Sequence, residues 1–291
     1  METPASFSLS NSEIIDLGQR SHDEQIIIFL HIPKAGGTTI NGIINQQYRK
    51  NCTFRFDGIE NRYKLAELEQ YQRSKLKLIR GHFAFGLHEF LSCPAKYFTL
   101  LRNPVSRTIS HYNYLCRSSS LPNHEKVKEM SLKNYILSDL SNNNLQTKML
   151  FGLSNVPAYS DEEILTTVKQ NLENQFSVVG LVERFDETLF FLKQAFNWRV
   201  PLYIQQNITP QHQHIQNNVD NNIIDIIKEK NSLDLELYEY AQKQFEHQIA
   251  ESKKDFYQNL ERQKRINQLY QPFGSTYNLA RHFMLKQLKK F

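Results

Sequence analysis

Apolar residues along this chain come in two rhythms. Short, β-branched runs read as buried strands: Ile26 to Leu30, Tyr97 to Leu101 and Phe176 to Val182, with Lys75 to Arg80 alternating like a fourth. Between them lie stretches with apolar residues three and four apart, the signature of helices with one packed face. One carries Ile40, Ile43, Ile44 and Tyr48; another, from Pro104, carries Val105, Ile109, Tyr112 and Leu115 or Cys116. Further helices are expected at Leu132–Leu140, from Ser160 to about Asn174, at Phe185–Phe196 and from Leu233 to about Tyr270. Glu60 to Lys75 reads as a solvent-facing helix, and Leu279 to Phe291 as a basic amphipathic one. Strands each followed by a helix imply an α/β protein: a parallel sheet flanked by helices, with helical additions at the C-terminus. Ligands of such sheets gather at the carboxyl ends of the strands, which puts the loops at Pro33, His82 and Arg102 on one rim.

The expected organisation is a polar, flexible leader over 1–22 and a single domain over 23–291. Residues 117–160, rich in Asn and Ser, read as an acceptor-side insertion, and 233–291 as a helical C-terminal part. Residues 203–218 form a Gln/Asn/His-rich loop. At 291 residues and 40% hydrophobic content the chain can bury a sizeable core. Its net charge of +5, from 35 Lys and Arg against 30 Asp and Glu, favours anionic ligands without the basic footprint of a nucleic-acid binder. Cys52, Cys93 and Cys116 form no C-x-x-C pair, so neither a disulfide framework nor a metal site is expected. No apolar run approaches the ~18–20 residues of a membrane span, and no signal-peptide pattern opens the chain. A cytoplasmic location is expected; oligomeric state is not legible.

The chemistry concentrates after the first strand, in His31-Ile-Pro-Lys-Ala-Gly-Gly-Thr-Thr39. A strand, a glycine-containing turn and a helix N-terminus place free backbone N–H groups around one point, which suits a phosphate. Lys34 adds a mobile charge, and Thr38 and Thr39 add hydroxyls. The order differs from the Walker A loop, whose lysine follows its glycines, and a plain strand-to-helix turn is the competing reading. A second anion site is expected at Arg102, beside Asn103-Pro104, where Asn suits a helix N-cap and Pro the first helical position. Arg107 reads as a second clamp or as a surface charge. His82 ends a strand on the same rim, as a proton acceptor or as a turn histidine bonded to backbone. His88 could line an acceptor site, whereas His111 reads as a helix-face residue.

Taken together, these stretches resemble the sulfotransferases, in the branch that includes heparan sulfate 2-O-sulfotransferase, and suggest a soluble, bacterial-type member. His31 to Thr39 is similar to that family's 5′-phosphosulfate loop. Leu101-Arg-Asn-Pro-Val-Ser-Arg-Thr-Ile-Ser-His-Tyr-Asn-Tyr114 is similar to its 3′-phosphate motif, Gly81-His82 to the position of its catalytic histidine, and Val178 to Asp186 to a further family strand. The resemblance implies a P-loop-like fold and 3′-phosphoadenosine 5′-phosphosulfate (PAPS) as sulfuryl donor. Lys34, Ala35, Gly36, Gly37, Thr38 and Thr39 would hold the 5′-phosphosulfate, and Arg102 with Ser110 the 3′-phosphate. His82 would be the general base and Lys34 the partner of the leaving oxygen. The acceptor would be a hydroxylated molecule, most plausibly a glycan, with no metal and no nucleic acid involved. The chain departs from the pattern in carrying Arg80 where the heparan enzyme has a second histidine, in having no membrane anchor, and in the late nucleotide-clasping loop, for which Gln205 to Pro210 is the nearest candidate. A kinase-like nucleotide enzyme and a non-catalytic nucleotide- or glycan-binding module are the alternatives. The first would call for Mg²⁺ ligands and a lysine after the glycines.

Overall fold

In the computed structural model, residues 14–18, 25–152, 159–204, 219–252 and 255–288 are described, with side chains as far as residue 272. Five strands form one sheet: β1 (Ile26–Leu30), β2 (Thr53–Arg55), β3 (Leu78–Gly81), β4 (Ala95–Leu101) and β5 (Phe176–Leu181), in the order β2-β3-β1-β4-β5. β1 is central and runs parallel to both β3 and β4, with Leu30 opposite Gly81 and Phe29 opposite Phe98. A strand covered on both faces should be apolar throughout. Ile26, Ile28, Phe29 and Leu30 are accordingly fully buried, and so are Leu78, Ile79, Tyr97, Phe98 and Leu100.

The α/β expectation therefore holds, and the strand positions agree to within a few residues. The three-residue edge strand β2 has no apolar run to announce it; it forms because Thr53, Phe54 and Arg55 pair with Leu78, Ile79 and Arg80. Gly81 at the end of β3 is required by that pairing: a Cβ there would lie 1.6 Å from the carbonyl oxygen of Phe56. Gly81→Ala is expected to lower stability by about 1–3 kcal/mol or more, because backbone must move to admit the methyl group. Urea denaturation measures this, and an unchanged midpoint would contradict it.

The longer helices are α1 (Gly37–Gln47), α2 (Pro104–Arg117), α3 (Asp161–Gln175), α4 (Phe185–Phe196), α5 (Asn221–Lys230), α6 (Ser232–Glu251) and α7 (Phe256–Leu288). α1 buries Ile40, Ile43 and Ile44, the stripe read from the sequence. α3 opens with the expected capping box, Ser160 Oγ accepting from the Glu163 N–H and the Glu163 carboxylate from the Ser160 N–H. Glu60 to Lys75, expected as one helix, is instead three short turns of helix, Ile59–Arg62, Tyr63–Ala66 and Gln70–Ser74. Of the helix expected at Leu132–Leu140, Leu132–Leu137 is helical. The helical pattern from Leu233 breaks at Ser252, whose backbone turns extended.

The chain divides into two compact units, interleaved in sequence. One comprises Met1–Pro33, Tyr48–Leu100 and Asn144–Val179, and contains most of the sheet. Residues of the expected leader take part in it: Ile15 bridges to Leu91, and Leu17 is fully buried. The other comprises Lys34–Gln47, Leu101–Asn143 and Gly180–Phe291. Its core includes Ile109 and Leu115 of α2 packed with Val127, Tyr135, Ile136 and Ile227. There Phe190 and Phe191 of α4 meet Phe256 and Phe245 edge-on, at 4.8 and 5.3 Å between ring centroids. Among the described residues no helix is long and apolar enough to cross a membrane.

Candidate functional site

The turn between β1 and α1 is set by two left-handed residues, Lys34 (φ 69°) and Gly36 (φ 73°). Glycine adopts that conformation freely, whereas for lysine it costs about 1–2 kcal/mol. A strained non-glycine residue at the mouth of a helix is a feature of ligand-binding loops. The strain is offset in part by Arg102, which follows β4 directly and whose guanidinium donates to the Lys34 carbonyl at 3.1 Å. Helix α1 begins at Gly37, and its first-turn N–H groups have no intrahelical acceptor. Thr38 is exposed and Thr39 half-buried there, while Ala35 and Gly37 are buried.

Arg102 is placed by the start of α2. Asn103 caps that helix by accepting from the Ser106 N–H at 3.2 Å, with Pro104 in the first turn, as the sequence implied. The Asn103 N–H donates to Glu183 at 3.0 Å, and Glu183 in turn accepts from the Tyr238 hydroxyl at 2.7 Å. The Lys34 ammonium lies 3.9 Å from the centre of the Tyr114 ring, about three turns along α2. Burial, and then the guanidiniums of Arg102 and Arg117, push the Lys34 pKa down to about 8. This unit thus sets Arg102 and Arg117 close enough to oppose the charge of Lys34, beside the N-terminus of a helix that favours anions. A bound anion would relieve that repulsion.

Ser110 lies on the buried side of α2. Arg107 is fully buried, which removes the surface-charge reading: its Nε lies 4.0 Å from Asp234 of α6, also fully buried, and its Nη2 donates to the Asn142 carbonyl at 3.1 Å. His111 is hydrogen-bonded through Nδ1 to the Tyr135 hydroxyl at 2.6 Å. Burial, with Arg107 and Lys34 nearby, pushes the His111 pKa down to about 4, so its ring is neutral at neutral pH.

In the other unit, His31 and His82 leave the same end of the adjacent parallel strands β1 and β3. The His82 backbone N–H donates to Asp57 at 2.9 Å, and its carbonyl accepts from the Gly58 N–H at 2.8 Å. Its Nδ1 is 2.7 Å from the carbonyl oxygen of His31, and the two rings are 4.1 Å apart between centroids. His88 is held elsewhere: its N–H donates to the Tyr97 hydroxyl, Nδ1 lies 3.1 Å from that oxygen, and burial lowers its pKa.

The structure thus brings Lys34 to Arg102 in one unit and joins His82 to His31 in the other. Tyr114, Glu183, Tyr238, Asp57 and the ring of His31 carry roles in these clusters that the sequence did not suggest. His31, Tyr114 and Glu183 lie within motif-bearing stretches, but nothing in those stretches singled them out. The other contacts join residues far apart in sequence or depend on the position of a side chain on its helix. Gln205 to Pro210, the candidate for the late nucleotide loop, and the rest of 205–218 lie outside the described residues. The stem before them is pinned to α7, where the Tyr203 N–H donates to Asn267 at 3.0 Å and Gln271 donates to the Tyr203 carbonyl at 2.7 Å.

The sequence model of the galactose-3-O-sulfotransferase family matches residues 2–269. Heparan-sulfate 6-O-sulfotransferase 1 of Gallus gallus is 27% identical over 285 residues, which cover 75% of this chain and 65% of that protein. Human heparan-sulfate 6-O-sulfotransferase 3 is 25% identical over 313 residues, covering 85% and 63%. This chain therefore spans somewhat under two thirds of the length of these relatives. The crystal structure of mouse sulfotransferase SULT7A1 complexed with PAP superposes with a TM-score of 0.35 at 12% identity, covering 72% of this chain and 65% of that one. The family model and the two heparan-sulfate relatives bear out the resemblance at the level of sulfotransferases, without confirming the 2-O branch. With a match running through both compact units, the chain belongs to the galactose-3-O-sulfotransferase family.

Proposed function

We propose that the protein is an O-sulfotransferase that takes a sulfuryl group from PAPS and places it on a carbohydrate hydroxyl. The observation that carries this reading is the cation cluster at Lys34, Arg102 and Arg117, where burial and then the two guanidiniums depress Lys34 beside helix N–H groups that lack an intrahelical acceptor. Such a cluster is stabilised by a dianionic or more highly charged ligand. The donor supplies an activated sulfuryl group and a phosphate-bearing leaving group. Lys34 and the N–H groups from Ala35 to Thr39 would hold its 5′-phosphosulfate, and Arg102 with Ser110 its 3′-phosphate. Lys34 would also meet the negative charge that grows on the bridging oxygen, an electrostatic role needing no rearrangement if the charge is already in place. His82 would take the proton of the acceptor hydroxyl.

The acceptor class follows from the relatives, whose names specify galactose and heparan-sulfate hydroxyls. A panel of 2-O, 6-O and galactose 3-O acceptor glycans, assayed with radiolabelled donor in excess chelator, tests both transfer and acceptor. Residues 117–160 and 203–218 are proposed to set that choice.

Calorimetry with adenosine 3′,5′-bisphosphate tests the donor half. An anion beside Lys34 raises its pKa, so binding near pH 8 should take up about half a proton, because Lys34 is half-protonated when free at its own pKa. The sign is fixed: affinity is greatest below pH 8 and falls as pH rises through it. Repeating the titration in buffers of different ionisation enthalpy gives the proton count. In Lys34→Ala the uptake should vanish and binding should weaken by about 10- to 100-fold, for a lost charged hydrogen bond. Absence of any bisphosphate binding by the unmodified protein would sink the proposal.

A further inference from the structure

A carbonyl oxygen only accepts, so the 2.7 Å contact between His82 Nδ1 and the His31 carbonyl requires the proton to be on Nδ1. A neutral His82 then carries its lone pair on Nε2. The oxygen that dictates this is itself held, because the His31 N–H donates to the Gly81 carbonyl at 2.9 Å. The His31 ring is held from behind: it stacks on Phe29 at 5.2 Å and 16°, and Phe29 stacks on the buried Phe98 at 4.6 Å and 5°. It also meets the His82 ring at 4.1 Å and 33°.

We infer that His31 is a positioning residue for His82: its carbonyl decides which nitrogen is basic, and its ring fixes where that nitrogen points. The inference rests on the proposed role of His82. In the transfer, the acceptor oxygen forms the new S–O bond as the bridging S–O bond of the donor breaks. The acceptor proton moves to Nε2, and the leaving bisphosphate keeps the electron pair of the broken bond. The imidazolium so formed donates more strongly from Nδ1, and the His31 carbonyl accepts that bond without carrying a charge of its own. It takes the place that a carboxylate holds behind the histidine of a hydrolytic triad. A misplaced base loses rate steeply, which is what the Phe98–Phe29–His31 stack prevents.

The test uses the full chain labelled with ¹⁵N-histidine, the His82 signals being assigned by their loss in His82→Gln. Above the imidazole titration range, His82 should show its proton on Nδ1, against the Nε2 preference of free histidine; a proton on Nε2 would overturn the inference. In steady-state kinetics, His31→Ala, which keeps the backbone carbonyl but loses the ring, should lower kcat by about tenfold or more while donor KM and bisphosphate Kd stay within about twofold, and His31→Phe, which restores the stack, should recover kcat to within about threefold. An unchanged kcat in His31→Ala, or a His31→Phe as slow as His31→Ala, would equally overturn it. The tautomer reading needs no turnover, so failure of the transfer assay would count against the proposed reaction and leave the His31 test standing.

Discussion

Replacing His82 by alanine is expected to slow sulfuryl transfer by about 10²–10⁴-fold, the usual worth of a positioned general base. Binding of adenosine 3′,5′-bisphosphate should survive, because the residues proposed to hold it, Lys34 and Arg102, belong to the other compact unit. The substitution leaves the backbone bonds at residue 82 in place, since the N–H to Asp57 and the carbonyl to Gly58 involve no ring atom. Radiolabelled-sulfate turnover and calorimetry on the same preparation separate the two effects. Full activity in His82→Ala would remove the base assignment, whereas loss of bisphosphate binding would show that the substitution disturbs more than the base.

The second large effect concerns stability. Arg107→Ala should destabilise the protein by about 3–5 kcal/mol, the usual consequence of removing one member of a buried ion pair. Asp234 is fully buried on α6, and a water-filled cavity in place of the guanidinium solvates its carboxylate poorly. The carbonyl of Asn142 loses its donor as well. A double replacement, Arg107→Met with Asp234→Leu, removes both charges and fills the volume. It should recover most of the loss, since a buried ion pair contributes little net stability over well-packed apolar residues. Chemical denaturation of the three proteins decides it; a single variant as stable as the parent would show that the pair is not electrostatically coupled. Because Arg107 also bears on the charge of Arg102 and His111, bisphosphate affinity in the refolded double variant reports how far this buried pair tunes the cation cluster.

The elements were legible in the sequence where burial imposes a period. β1 is apolar throughout and β4 is buried from Tyr97 to Leu101, where only Thr99 interrupts the apolar run; α1 and α2 pack one face, so their apolar residues recur every three to four positions. Ser160 with Glu163 and Asn103 with Pro104 announce helix starts because the unsatisfied N–H groups there need those side chains. β2 was not legible, since a three-residue edge strand needs no apolar run and exists through its partner β3. Nor was the breakage of Glu60–Lys75 into short turns, which a charged segment with few buried residues does not encode.

By itself the sequence determined the α/β class, the strand–turn–helix at Lys34, the cap at Asn103 and the family resemblance, because each rests on residues close together along the chain. Tertiary structure decided what those residues touch. It turned Arg107 from a clamp or surface charge into half of a buried ion pair, and made His111 neutral by burying it near two cations. It also set His31 against His82, a contact between adjacent parallel strands that are separated in sequence by a helix and an edge strand. Charge state and tautomer depend on burial and on partners distant in sequence, and those exist only once the chain has folded.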